Sequence, residues 1–223
     1  MTNQEIGGVL YKAVAEREAQ RRLNNEGSYD YGLADELRKE LLEKLGVESS
    51  CLTDLEYRKI NDDRCIPILI KYIPLFQNVG ISLALISQQF FRKGNKECSD
   101  FLERWYYDLK RNSTVTGMVE NILDNAFVRI GDKSKIPFYI ELINEDDRFP
   151  FVMTMLGRWK LDGAKEIIIR RLNNDKIKTS AIRALGYYKD KSTIPLIEQY
   201  LNSEYSGVRQ EAKKVIDRLN NLP

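Results

Sequence analysis

Arg129, Arg158, Tyr187 and Arg218 recur at intervals of 29, 29 and 31 residues, each directly before an apolar position occupied by Ile130, Trp159, Tyr188 and Leu219. A guanidinium keeps its charge across the biological pH range and offers planar paired N–H donors that fit a carboxylate or a phosphate two at a time; a phenol adds a ring face and a hydroxyl. Side chains repeated in this way suit recognition of an anionic surface rather than the making or breaking of a bond. Neighbouring rows add Arg183 with Lys214, and Lys178 with Arg209. The plainer alternative is that all of these are solvated charges on helix faces.

The chain contains no histidine. That removes the Ser-His-Asp and Cys-His nucleophile systems, the usual zinc and iron ligand sets, and the side chain best matched to proton transfer near neutral pH. Cys51, Cys65 and Cys98 are widely spaced and form no C-x-x-C pair, which fits a reducing cytoplasm. No P-loop, G-x-G-x-x-G or G-x-S-x-G is present, and Gly7-Gly8 sits inside a helical pattern without the strand such motifs need. Glu145-Asp146-Asp147 lies between two helices, where it is expected to favour the N-terminus of the next helix, not to hold a hard cation; Asp62-Asp63 reads the same way. Carboxylate, lysine or tyrosine chemistry stays open, but these features together predict a chain that is not an enzyme and carries neither cofactor nor metal. The opening residues lack a basic and then apolar leader pattern, and the most apolar stretch, from Ile66 to Phe76, is broken by Lys71 and two prolines, so no secretion signal or membrane span is expected.

What must position the arginine row is a repeated element. Asp132-Lys-Ser-Lys-Ile-Pro137 recurs 58 positions later as Asp190-Lys-Ser-Thr-Ile-Pro195, twice a 29-residue unit. Used as a ruler, this turn predicts first helices (A) at Ile136 to Ile143, Lys165 to Leu172 and Ile194 to Leu201, with Ser134 and Ser192 as N-caps. Second helices (B) follow short polar loops. Ile177, Ala181, Ala184, Leu185 and Tyr188 match Val208, Ala212, Val215, Ile216 and Leu219, one apolar stripe of helical period. The same register buries Trp159. Earlier units are looser: Ile66 to Ile73 with Val79 to Phe91, and Cys98 to Trp105 with Val115 to Ile130, giving about five between 61 and 221. At least two of Trp105, Tyr106 and Tyr107 should pack between units. Residues 1–60 lack the register and read as helices from about Gln4 to Leu23 and Gly32 to Leu45, with Thr53-Asp-Leu-Glu56 as a capping box; they are expected to shield the end of the stack.

Ile177-Lys-Thr-Ser-Ala-Ile-Arg-Ala-Leu-Gly186, followed by Asp190-Lys-Ser-Thr-Ile-Pro-Leu-Ile-Glu-Gln-Tyr-Leu201, resembles HEAT repeats of the short bacterial type, in which an Ala-x-x-Ala-Leu-Gly helix leads into an Ile-Pro-x-Leu-Ile helix. Val208-Arg209 stands where that family has Val-Arg, and Ile177-Lys178 departs from it at Lys178. The resemblance implies an all-α, right-handed α-α superhelix of about five helix pairs, with a cap at 1–60 and a solenoid at 61–223. It also implies A helices outside, B helices lining a concave side, and Arg209 bracing adjacent units. The expected function is a non-enzymatic scaffold, adaptor or inhibitor, of which bacterial immunity or antidefence factors are examples. Its partner would be a protein with an acidic surface. Residues 158–223 carry 14 basic and 8 acidic side chains, which keeps nucleic acid as the alternative. HEAT-like alkylpurine DNA glycosylases are similar in size and all-helical, although their catalytic Asp with its Trp and Arg partners finds no place in this register. Tetrapyrrole-lyase subunits share the short repeat, but no pigment-specific motif is present.

Overall fold

The computed structural model describes residues 30–49, 51, 54–55, 59–90, 93–112 and 117–222, together with Glu16 and Gln20, both helical. Among the described residues the chain is all-helical. It divides into two compact units, Met1–Arg111 and Asn112–Pro223. The rest of the Gln4 to Leu23 helix, Gly7-Gly8, and Thr53 and Glu56 of the capping box lie outside the described residues. No helix among the described residues is long and apolar enough to cross a membrane.

In the first unit α1 spans Tyr31–Leu45; Asp30 accepts the Leu33 N–H at its start, and Gly46 ends it in the left-handed conformation. α2 (Cys65–Tyr72) runs into a single 3-10 turn, Ile73–Leu75, where Pro74 cannot continue the hydrogen-bond ladder. α3 (Val79–Gln89) opens on Asn78, whose side chain accepts from Gly80, and α4 spans Lys96–Arg111. Leu37, Leu41, Ile66, Leu69, Leu85 and Phe90 form a fully enclosed core, and Phe101 stacks against Trp105. Of the aromatic triplet, Trp105 and Tyr106 are buried and Tyr107 is half-buried, as the register predicts. Among the described residues, polar ties join the elements of this unit. Glu40 accepts from Lys44, Lys71 and Tyr72, joining α1 to α2, and buried Gln89 accepts the Ile60 N–H while donating to the Leu55 carbonyl.

The second unit contains α5 (Gly117–Ile130), α6 (Ile136–Glu145), α7 (Pro150–Trp159), α8 (Asp162–Arg171), α9 (Lys178–Tyr188), α10 (Ile194–Glu198) and α11 (Ser206–Asn220). α6 packs on α7, α8 on α9 and α10 on α11, while α5, α7, α9 and α11 lie side by side in that order. Contacts between successive members run at a nearly constant offset in sequence: Asp124 with Val152, Gly157 with Ala184, Arg183 with Glu211, and Gly186 with Val215. A constant positive offset means that these helices point the same way. They also approach closely. A Cβ at Gly157 would lie 2.6 Å from the Ala184 carbonyl oxygen, and one at Gly186 would lie 2.9 Å from Val215 Cγ1.

The repeated turn has the same construction in both copies. Asp132 and Asp190 each accept the backbone N–H two residues on, Ser134 or Ser192, at 2.9 Å. The expected serine caps are thus corrected: aspartate does the capping, and each serine contributes its N–H. A 3-10 turn follows, then a proline in the first turn of α6 or α10. Carbonyls at the ends of α6 and α8 are satisfied from the helix pair that follows. Arg171 donates to the Ile143 and Asn144 carbonyls, and Tyr200 to that of Leu172. Trp159 is half-buried, not enclosed, because its ring lies at the rim, 6.3 Å from Tyr139 with the Lys133 ammonium 5.8 Å from its face.

Candidate anion-recognition site

Arg129, Arg158, Tyr187 and Arg218 sit on the last turns of α5, α7, α9 and α11, one residue before the apolar position that anchors each helix. The Arg158 guanidinium lies 5.1 Å from the Tyr187 ring centroid and that of Arg218 lies 5.6 Å from the same ring. Two cations on one phenol gain from its ring quadrupole but repel each other. Among the described residues, no carboxylate pairs with Arg158 or Arg218. The arrangement therefore favours an anion that bridges them.

A cavity of about 290 Å³ opens beside Arg158 among α5, α7 and α9, lined by Asn125, Val128 and Arg129, by Phe151, Thr154, Met155 and Arg158, and by Arg183. Phe151 is 40% exposed, a large aromatic wall beside guanidinium groups. Several polar side chains here are already engaged. Asn125 Nδ2 donates to the Asn121 carbonyl and Oδ1, Thr154 Oγ1 to the Pro150 carbonyl. Arg183 forms a paired bond to Glu211, at 3.1 and 3.0 Å, which ties α9 to α11 and leaves less of it for a ligand than its row implied.

Lys214 is exposed on α11. Lys178 pairs with Asp175 and lies 5.1 Å from the Tyr200 ring. Arg209 donates to the Ser203 and Glu204 carbonyls, so it braces its own preceding loop where the resemblance implied a tie between units. Among the described residues no group of three or more His, Cys, Asp or Glu is arranged to hold a metal ion. Asp146 instead pairs with Arg148, and Asp147 accepts from Asn174.

The carboxylate that serves the N-terminus of α7 is Asp124, from the neighbouring α5, and not the acidic run preceding that helix. Its two oxygens accept the Phe151 and Val152 N–H groups at 2.8 Å each. Burial pushes its pKa up to about 7, against the lowering effect of those two bonds. One turn earlier, Glu120 is 1% exposed and pairs with Arg148. The row position of Asp124 carries a signal for this role on α5, α7 and α9, since its equivalents there, Met153 and Ile182, are buried and apolar, while Lys213 of α11 is exposed. A carboxylate in a buried row needs donors, and the nearest are the open N–H groups of the adjacent helix. Phe151 is marked similarly, as an aromatic in the row of Ser180 and Glu211. No protein-family model matches the chain, and no curated protein sequence matches it.

Proposed function

We propose that this protein is a non-enzymatic binding scaffold. In this reading the helix pairs of residues 61–223 form a right-handed HEAT-like superhelix behind an N-terminal cap at 1–60. The surface carried by α5, α7, α9 and α11 holds an acidic face of a protein partner in the cytoplasm. The observation that carries the reading is the pair of guanidiniums, Arg158 and Arg218, 5.1 and 5.6 Å from one tyrosine ring with no carboxylate partner among the described residues. A preformed surface on packed helices loses little conformational freedom on binding, so a few arginine and aromatic anchors can supply much of the affinity.

The test is a comparison of partner capture by the wild type and by the Arg129→Glu/Arg158→Glu/Arg218→Glu variant, with melting followed by circular dichroism. The expected result is a protein partner retained by the first and lost from the second at unchanged melting temperature. Equal retention by both would place the binding surface elsewhere. Titration with duplex DNA separates the nucleic-acid reading: three phosphate contacts would give a slope of log K against log salt of roughly −2 to −3. Such a slope, abolished in the triple variant, would replace a protein partner by DNA.

A further inference from the structure

We propose that the cavity beside Arg158 seats the last residue of a partner chain, one that ends in a free carboxylate and carries an apolar side chain of leucine to phenylalanine size; the proposal rests on the protein-binding reading above. At about 290 Å³ the cavity lies at the lower bound for a ligand site, room for one residue and not for a length of peptide. Its lining combines three kinds of group. Val128, Phe151 and Met155 give an apolar wall, and Phe151 is 40% exposed, a surface that gains by being covered. That wall is held in place, because Asp124 accepts the Phe151 and Val152 N–H groups. Arg158 gives the cation. Its guanidinium lies 5.1 Å from the Tyr187 ring, and among the described residues none of its N–H groups has a hydrogen-bond acceptor. The other two arginines of the lining are already engaged, Arg183 with Glu211 and Arg129 in an interaction of its own. Asn125 gives an acceptor: its amide nitrogen donates to Asn121, which leaves its carbonyl oxygen for a ligand N–H.

A chain end matches all three from a single Cα. It has an apolar side chain for the wall, a carboxylate for Arg158 and a backbone N–H for Asn125. An acid inside a chain matches less well. Its side chain can meet Arg158 but cannot also cover Phe151, and in an extended segment the apolar residue beside it points the other way. A free amino acid is also disfavoured, since its ammonium needs a counter-charge and none of the lining residues is acidic. An acylated nitrogen needs only an acceptor. Charge favours the same occupant: Arg218 lies 5.6 Å from the Tyr187 ring that Arg158 also meets, so the two guanidiniums repel each other and a carboxylate on Arg158 offsets that repulsion. The terminal carboxylate adds a charge-assisted bond that an internal apolar residue cannot supply.

The experiment is an NMR titration of the full chain with three N-acetylated peptides built on Gly-Ser-Gly-Ser-Phe. The first ends in the free acid, the second in the amide, and the third is extended by Gly-Ser-amide so that phenylalanine is internal. The expected result is binding of the acid at least about tenfold tighter than either other. Arg158→Gln should weaken the acid about tenfold and leave the amide unchanged, while Phe151→Ser should weaken the peptide ending in phenylalanine and leave one ending in serine unchanged. Lys176→Gln, an exposed charge outside the cavity lining, serves as control, and circular dichroism checks that each variant is folded. Equal affinity for acid and amide would overturn the chain-end inference. So would phenylalanine bound as tightly as N-acetyl-phenylalanine, which would make the site one for a free amino acid. An amidated peptide alternating glutamate with glycine tests the reading beneath the proposal. If it binds, and is lost in the triple glutamate variant, while acid and amide do not differ, the acidic-partner surface stands and the chain-end inference falls; if neither it nor the acid binds, both fall.

Discussion

Asp124 concentrates the conflict between burial and function in one side chain. It is 1% exposed, and its oxygens hold the first two free N–H groups of α7 at 2.8 Å, so it decides where the wall residue Phe151 stands. Its folded pKa of about 7 lies above the unfolded value of 3.8, so between those limits the folded chain binds a proton that the unfolded chain has released. Stability from this group is therefore present below about pH 4 and is lost as pH rises to about 7. Asp124→Asn carries no such titration. The urea midpoint of the wild type should fall relative to that of Asp124→Asn as pH rises from about 4.5 to 8; a wild type that gains on the variant with rising pH would show that the ionised carboxylate is the stabilising form. Two other carboxylates act at the opposite end. Glu40, held down to about 2 chiefly by Lys44, and Asp190, held to about 2 chiefly by Lys165, contribute above their ordinary values and lose that contribution as pH falls towards 2. The Asp124 window is thus read cleanly above pH 4.5.

At the scale of the element, the residue ending each of α5, α7 and α9 is held left-handed, whereas α11 ends on Asn221 at φ −83°. Gly131, Lys160 and Lys189 have φ of 59°, 55° and 59°, again at intervals of 29 residues. Only the first is glycine, and an L side chain in that conformation costs about 1–2 kcal/mol, part of which the greater freedom of glycine in the unfolded chain would offset. Lys160→Gly and Lys189→Gly should each stabilise by about 0.5–1 kcal/mol in urea titrations, and Gly131→Ala should cost about 1 kcal/mol. A loss of stability in both lysine variants would mean that their side chains, and not the cap geometry, matter at these positions. The helices themselves were legible because their apolar rows repeat: the 29-residue ruler predicts Ile136 to Ile143 where α6 spans Ile136–Glu145, and Lys165 to Leu172 where α8 spans Asp162–Arg171. It also brings Arg158, Tyr187 and Arg218 into one column. What the rows conceal are diagonal contacts. Asp124 meets Val152, and Arg183 meets Glu211, each 28 residues on, because side chains lean towards the N-terminus of their own helix and reach a neighbour earlier than their row-mate. The cap role of Asp132 and Asp190 was hidden for another reason: an aspartate and a serine two apart are both plausible caps until the 3-10 turn between them is seen.

At the scale of the whole molecule, the second unit is tied, among the described residues, by bonds that reach one repeat on. Arg171 to Ile143, Asn174 to Asp147, Tyr188 to Leu161, Lys165 to Asp190 and Tyr200 to Leu172 all span 25 to 28 residues. Such nearest-neighbour coupling makes stability a sum over repeats and their interfaces, so a run of repeats can fold by itself provided each carries its own ties. The hydrogen bonds named above between α5 and α11 close within residues 112–223, as does the buried stripe formed by Val119, Leu123, Val152, Leu156, Ala181, Leu185, Val215 and Leu219. The fragment 112–223 should therefore give a helical circular-dichroism spectrum and a single cooperative urea transition. It should also retain the Arg129, Arg158, Tyr187 and Arg218 column in binding-competent form. Removing α11 from that fragment would uncover Gly186 and leave Arg183 without Glu211, and since each repeat stabilises its neighbour, the shortened fragment should melt at lower temperature and with a broader transition. If 112–223 shows no cooperative transition while the full chain does, the repeats depend on more than their own neighbours, and coupling limited to adjacent units would be wrong.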